Sequence, residues 1–561
     1  MLRVAIPEDG LSLHYRAGQP EGFAYDLARR FAMAAGLRVE VIPTERLSSA
    51  LRDLNRGTID LIAVAGAGSI PAMEGLGWSL PFSKSRPMLV GRNAAEIRSF
   101  SELSGKAVSV RRFTSWETLA LQWNARLGGR LARAYIPQNV AGVRGIVEGR
   151  DYVAVVAETY AAAQTGLEKA DVLWDDSKAL DISTKDVFAA YRAALDKGAA
   201  YAPRWVIDAS GDLAKASGKE IKATYDAPFL AHATMEPMNA TAYVTETEAK
   251  VWAGHQSASL VQLLAARAAN LPAASVEVIT PFLGGGFGRR ADLGYIVKAV
   301  EIASRFKGTP VQTIWSRAED IRDDVYRPAA MADISAKVDG DGLPTGLLYR
   351  IAVPSVTDQF VARAAPSAKG GLMADRTTVD GAIFPFYGLP VRSIENLTVD
   401  TGIPVGFWRS VGFSLNCFFV ESFIDELAAA AGATPLDYRG RLLARAGSYE
   451  PARRAKRVLE RMAEFEKANP VAAAKQSGAV GRGFALTACF HSYVGEIADV
   501  EVVGSDIRVR HVHAVADCGF AIDPPNVAAQ IRSAINFGLT AALFGKVDFD
   551  RGRVVATNFD N

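Results

Sequence analysis

An N-terminal α/β module followed by an α+β region is the expected architecture of this chain, and three observations lead there. Its 561 residues exceed what one ordinary core accommodates, so two to four domains are expected. Roughly the first 145 residues alternate short apolar strands with helical patterns. From about Asp181 the texture shifts to longer strands separated by glycine turns, with helices between them.

Taken in order, Arg3–Pro7 reads as a strand stopped by Glu8-Asp9-Gly10. Phe23–Ala35 reads as an amphipathic helix with Leu27, Phe31 and Ala34/Ala35 on one face, closed by Gly36. Arg38–Ile42 reads as a strand, Leu47–Asn55 as a helix ending near Gly57, and Ile59–Ala65 as a buried strand. That βαβαβ order implies a parallel sheet under covering helices. No Pro/Gly/Ser-rich linker marks the transition between about 140 and 175. Beyond it, helices are expected at Ser259–Ala269, Leu293–Phe306 and Cys417–Ala431. There is no internal repeat and no low-complexity tract. The expected division is residues 1–145, a junction at 146–225, and two further parts at 226–430 and 431–561.

Bulk properties narrow the function. Lys+Arg of 63 against Asp+Glu of 61 gives a net charge of +2, too balanced for a nucleic-acid or anionic-membrane binder. No apolar run approaches bilayer length, and MLRVAIPEDG lacks the features of a signal peptide. The expectation is a cytoplasmic chain, or a periplasmic one whose leader has been removed. The three cysteines, Cys417, Cys489 and Cys518, are widely spaced. Four thiolates usually hold an iron–sulfur cluster, so electrons leaving this chain would pass through a partner.

Gly284-Gly285-Gly286-Phe287-Gly288-Arg289-Arg290 lies between an expected strand (Ser275–Ile279) and the helix beginning at Leu293. Clustered glycines let backbone N–H groups approach an anionic or oxygen-rich group, and a following helix N-terminus adds positive potential. Alone, the same run reads first as a plain tight turn. Arg409 sits beside a glycine turn, where a guanidinium suits a phosphate or an oxyanion. Glu421 and Asp425 fall on an expected helix and read as solvated surface. His511 and His513 alternate on a strand and share a face, which ordinary polar residues also explain. Cys518 reads as a small buried residue.

Three blocks, in order, then carry a resemblance. Ala231–Thr241 (AHATMEPMNAT), Val251–Ser257 (VWAGHQS) and ITPFLGGGFGRR form the first; Val405–Ala428 (VGFWRSVGFSLNCFFVESFIDELA) is the second. His491–Val502, His511-Val512-His513, Val515–Pro524 and Gln530–Leu539 form the third. Together they resemble the molybdopterin-binding subunit of xanthine dehydrogenase-type molybdenum hydroxylases, in particular the isoquinoline 1-oxidoreductase β-subunit group. The resemblance implies an α+β molybdopterin-binding region from about residue 150 onward. It implies a molybdenum–molybdopterin cytosine dinucleotide cofactor, a small [2Fe–2S] partner subunit with its electron acceptor, and oxidation of N-heteroaromatic or aldehyde substrates with water-derived oxygen. By position it implies cofactor contacts from Gln256, Gly285, Gly286, Phe287, Gly288 and Arg409. Phe413 and Leu415 stand where that family more often has histidine and glutamine. The family's glutamate segment, Gly-Gly-Val-Gly-Glu-Pro-Gly, is not found before Asn561, so an inactive portion is one expectation and no catalytic residue is named. Glu236 and Glu496 have no spacing that makes either a replacement.

RVAIPEDG, GQPEGFAYDLARRFA, LNRGTIDLIAVAG, LPFSKSRPMLVGR and SFSELSGKAVSVRRFTSWETL resemble, over residues 1–145, a bacterial extracellular solute-binding protein of the amino-acid-binding type. That resemblance implies an α/β lobe and, as an alternative function, binding of a small solute. The family's carboxylate-pairing arginine is absent from Ser69-Ile70-Pro71-Ala72-Met73-Glu74, where an acid stands instead. Thr114 and Ser115 read equally as ligand hydroxyls and as helix caps. Two joined gene fragments are a third reading of the whole chain.

Overall fold

The computed structural model describes residues 1–7, 13–16, 18–44, 50, 52–54, 56–63, 107–109, 132–134, 142–170, 172, 179–367, 374–383, 386–472 and 478–559. They fall into two compact units, Met1–Lys178 and Ala179–Asn561.

In the first unit β1 (Leu2–Pro7) is flanked by β2 (Val39–Thr44) and β3 (Leu61–Ile62), both parallel to it. Helix α1 (Phe23–Ala34) provides the crossover from β1 to β2, as the periodicity implied. Its buried face is a correction. Ala24, Ala28 and Ala32 face inward, the first two packing on Val4, Ile6 and Leu13, whereas Leu27 and Phe31 are 37% and 58% exposed. Three alanines one turn apart let the helix lie close on the sheet, so the larger side chains point away. Gly36 has φ +68°, the left-handed conformation that ends a helix. Arg3 hydrogen-bonds Asp60 and draws its carboxyl down to about 2. A hairpin of β4 (Val143–Glu148) and β5 (Val153–Ala157) leads into α2 (Tyr160–Lys169), capped by Thr159. Residues 69–74, Thr114 and Ser115 lie outside the described residues.

The second unit begins with α3 (Thr184–Lys197), β6 (Arg204–Ala209) and β7 (Lys219–Ala227). A small four-stranded sheet follows: β8 (Asn239–Val244), β9 (Ala249–Trp252), β10 (Val276–Ile279) and β11 (Val311–Ile314), in the order β10-β9-β8-β11. Helix α4 (Ala258–Ala269) crosses between the parallel pair β9 and β10, and α5 (Gly294–Ala303) packs on β8 and β11.

Strands β12 (Ala330–Val338), β13 (Pro344–Val353) and β14 (Arg392–Thr398) complete a five-stranded sheet ordered β6-β14-β13-β12-β7. Strict alternation in β12 buries Ala330, Ala332, Ile334, Ala336 and Val338 on one face. Against that face lies α6 (Phe413–Ala430), through Phe419, Phe423, Ile424 and Leu427. Helices α7 (Pro435–Ala446) and α8 (Glu450–Ala468) then lead to the antiparallel sheet β15 (Ala479–Cys489), β16 (Ser492–Val503) and β17 (Asp506–Asp517), followed by α9 (Pro524–Leu543).

Two further expectations are corrected here. Glu421 is buried, not solvated: its carboxylate accepts from Arg439 Nε and the Leu486 N–H at 2.9 and 2.8 Å, and from the Tyr387 hydroxyl at 3.1 Å. The wholly buried Arg439 requires that counter-charge, and also takes Asp425. Cys518 is only partly buried. His511 and His513 do share a face, both stacked on Phe465 of α8 with centroids 6.3 and 3.6 Å away.

Candidate functional site

Three loops converge at one end of the small four-stranded sheet. The first, Ala253–Ser257, leaves β9; the second, Thr280–Gly288, leaves the neighbouring parallel strand β10. Parallel neighbours end on the same side, so the two loops emerge together. The third, Val405–Gly412, precedes α6 and lies against the second through a close backbone contact between Phe407 and Gly288.

Gln256 spans the first two loops. Its backbone N–H donates to Arg290 O at 3.0 Å, and its Oε1 accepts the Gly288 N–H at 3.1 Å. That bond fixes the amide, and its Nε2 donates to no other described residue. The turn needs its glycines for different reasons. Gly285 and Gly288 adopt φ +99° and +103°. A Cβ on Gly288 would lie 1.5 Å from Phe407 O, and one on Gly286 would lie 2.8 Å from Gln256 Oε1. Phe287 itself holds φ +54°, which costs an ordinary residue about 1–3 kcal/mol. Ala233, Ser410 and Val411 are also left-handed, so four of the eight non-glycine positive-φ residues among those described belong to these loops or their immediate support. Such strain persists only where surrounding contacts impose it.

Arg290 imposes much of it. The side chain is fully buried and donates to Gly285 O (2.8 Å), Gly254 O (3.2 Å), and Glu236 O and Oε2 (3.1 and 2.9 Å). Glu236 Oε2 in turn accepts the Gly284 N–H at 2.6 Å. Burial pushes the Glu236 carboxyl up, but hydrogen bonds from Gly284 and Asn239 and the Arg290 charge together hold it below its usual range. Glu236 is thus an ionised clamp under the turn. On the other flank His232 Nδ1 faces Asp324 Oδ1 at 3.0 Å and its Nε2 faces Phe407 O at 2.9 Å. Arg289 Nε lies 2.9 Å from the same Asp324 oxygen, off the hydrogen-bonding direction.

Arg409 reaches over the rings of Phe287 and Phe537, 5.9 and 5.6 Å from their centroids. It donates to Ser533 Oγ at 3.0 Å and Gln530 O at 3.4 Å, both in α9, and has no carboxylate partner among the described residues. Burial pushes this guanidinium down from its ordinary value. Phe537 stacks on Phe287 at 4.8 Å and on Trp408 at 4.5 Å, so α9 closes one wall.

The six positions singled out from the sequence, Gln256, Gly285, Gly286, Phe287, Gly288 and Arg409, therefore lie in one neighbourhood. Several hydrogen-bond donors among them are left free. The N–H groups of Gly285, Gly286 and Phe287 have no acceptor among the described residues, and they stand beside Gln256 Nε2 and the Arg409 guanidinium. Consecutive free N–H groups form a nest for an oxygen-rich or anionic group. One expectation fails in detail. A short 3₁₀ turn, Arg289–Ala291, separates the glycines from α5, so the free N–H groups supply the positive potential assigned to that helix. His232, Glu236, Arg290 and Asp324 were missed as structural parts of the site. The only sequence signal was a double arginine after a glycine run.

Residues 200–443 match the family model described as a molybdopterin cofactor-binding domain. The chain is 27% identical over 332 residues to the isoquinoline 1-oxidoreductase subunit beta of Brevundimonas diminuta, covering 58% of this chain and 41% of that one. It is 24% identical over 431 residues to the membrane-bound aldehyde dehydrogenase [pyrroloquinoline-quinone] of Gluconacetobacter polyoxogenes, covering 74% and 55%. The chain thus spans about half, or less, of these relatives' lengths. Among solved structures it superimposes on quinoline 2-oxidoreductase from Pseudomonas putida 86 with a TM-score of 0.58 and 16% identity, covering 75% of this chain and 82% of the other, a likeness of fold.

Proposed function

We propose, from the membership of residues 200–443 in the molybdopterin cofactor-binding domain family, that the second unit is part of the large subunit of a molybdenum hydroxylase. The observation that carries the reading is the cluster of free donors at Gln256, Gly285–Phe287 and Arg409. The residues fit the group: a molybdopterin dinucleotide presents oxygens to donors, and the glycines let the turn pack closely enough on Gln256 and Phe407 to hold those donors together. When bound, the cofactor would supply oxidation of an N-heteroaromatic or aldehyde carbon with oxygen from water. Gln256, held by Gly288, would present its Nε2 donor in one orientation. Gly285, Gly286 and Phe287 would offer backbone N–H groups, and Arg409 would add positive charge. The Phe287 ring, backed by Phe537 and Trp408, would form an apolar wall that excludes water. We assign the general base to none of these residues, because Glu236 is committed to Arg290 and Gly284.

The proposed cofactor is a molybdenum–molybdopterin cytosine dinucleotide, and the proposed partners are a small [2Fe–2S] subunit and an electron acceptor. We keep the division into 1–145, 146–225, 226–430 and 431–561 as the proposed domain plan. Its first part is an α/β module of solute-binding type, a reading supported by the parallel sheet around β1.

Co-expression with a [2Fe–2S] subunit, followed by metal and pterin analysis of the purified protein, tests the main reading. Molybdenum and pterin near one per chain are expected, lowered several-fold in Gln256→Ala and Arg409→Ala of unchanged thermal stability. Protein that carries pyrroloquinoline quinone, or neither molybdenum nor pterin, would overturn it.

A further inference from the structure

Against the Trp408–Val411 turn lies a small and mostly enclosed cavity. Arg327, Val353, Thr377, Trp408, Val411 and Gly412 are among the residues around it. Its free space suits one water-sized or halide-sized occupant.

The polar groups there are unbalanced. Arg327 is 5% exposed; its Nη2 donates to Pro228 O at 2.9 Å, and its guanidinium lies 5.4 Å from the Trp408 ring centroid. Its Nε is buried without a hydrogen-bond partner. No carboxylate among the described residues pairs with it. Asp324, three residues earlier, is turned to His232 and Arg289. Burial alone pushes the Arg327 guanidinium down to about 9, with no opposing negative charge nearby. Burying an unpaired cation costs several kcal/mol, and proteins normally supply a counter-charge.

A second, independent feature faces the same space. Helix α6 runs for 18 residues from Phe413, with Gly412 as its N-cap and no side-chain cap. The Gly412 N–H has no acceptor among the described residues. The next N–H groups, of Phe413 and Ser414, are taken by Ser410 O and Val411 O, so the Gly412 N–H and the Arg327 Nε are the free donors bordering this cavity.

We propose that this cavity is a binding site for one small monovalent inorganic anion, chloride in ordinary buffers, held between Arg327 and the amino end of α6. The space is too small for a carboxylate-bearing metabolite, and the apolar walls of Val353, Val411 and Trp408 favour a weakly hydrated halide. The anion removes the cost of the unpaired cation. It also braces the turn that carries Arg409, because Trp408 and Val411 form the wall between them.

Bromide makes the site visible. Crystals grown in gluconate and transferred to sodium bromide should show one anomalous difference peak within hydrogen-bonding distance of Arg327. Water-like density with no anomalous signal at that position overturns the proposal. In solution, titrating chloride into gluconate at constant ionic strength should raise the wild-type unfolding temperature along a saturable curve. Val356 also lines the cavity; Val356→Phe, which fills it while keeping Arg327, and Arg327→Gln should both lose that saturable component. A linear response equal in all three proteins overturns the proposal as well. If Arg327→Gln does not fold, Val356→Phe and the bromide peak decide the matter.

Discussion

Gly286 and Gly288 stand two residues apart in one turn, yet a methyl group at each would act differently. At Gly286 it meets the end of the flexible Gln256 side chain, with no left-handed backbone to strain. Gly286→Ala should keep its stability within about 1 kcal/mol while losing most of its bound molybdenum, because Gln256 is displaced. At Gly288 it meets the backbone carbonyl of Phe407 at φ +103°. Gly288→Ala should therefore cost about 3 kcal/mol or more in denaturant unfolding, or yield no soluble protein. Equal behaviour of the two variants would contradict the geometry described. The same contrast explains what could be read from the sequence here. Gln256, Phe287 and Arg409 are chemistry-bearing residues beside glycine turns, so their type and place speak for themselves. His232, Glu236, Arg290 and Asp324 are buried polar clamps, and such clamps follow no period. His232 finds Asp324 92 residues away, and Arg290 finds Glu236 at a separation of 54.

Individual elements such as β1, α1, α4, α5 and α6 were legible, because period-2 and period-3.6 patterns are local, whereas the sheet orders of the second unit were not. The orientation of individual faces was less legible than the elements themselves. Helix α1 turns three alanines inward against a larger apolar stripe, and α6 buries an acid because α7 brings Arg439 to it. A neighbouring element decides each case. Across β15 and β16, Arg482 and Asp499 stand directly opposite and form two hydrogen bonds of 2.6 and 2.8 Å, with side chains only 7% and 15% exposed. The hydrogen bonds from Arg482 hold the Asp499 carboxyl below its ordinary range, outweighing burial, which acts the other way. A depressed folded-state value means that the unfolded chain binds the proton first as pH falls. The resulting stability is complete above about pH 4 and is lost as pH drops through the folded value. Asp499→Asn should lose about 1–3 kcal/mol at neutral pH and show a flatter acid limb in urea midpoints. A variant limb as steep as the wild type would show that the pair contributes nothing to acid stability.

In the second unit the apolar surface is unusually open around its last helix. None of the 20 residues of α9 is fully buried. Phe520, Ile522 and Phe544 around it are 90%, 89% and 75% exposed, and Phe282 and Phe490 elsewhere in the unit are also exposed. Single surface aromatics are unremarkable, but this many along one helix and its flanks make a sticky surface. The isolated chain should bind anilinonaphthalene sulfonate in its native state and associate as concentration rises, as light scattering would report. A dye-silent monomer at high concentration would show that this surface is covered in solution.

One carbonyl, that of Phe407, faces the His232 ring 175 residues earlier and leaves Gly288 no room for a side chain. Contacts between such distant stretches close only after the sheets carrying them have formed. Refolding should then regain its far-ultraviolet signal well before it regains the capacity to load a cofactor, and mild denaturant should abolish loading first. A preparation with faultless secondary structure could still be an empty vessel.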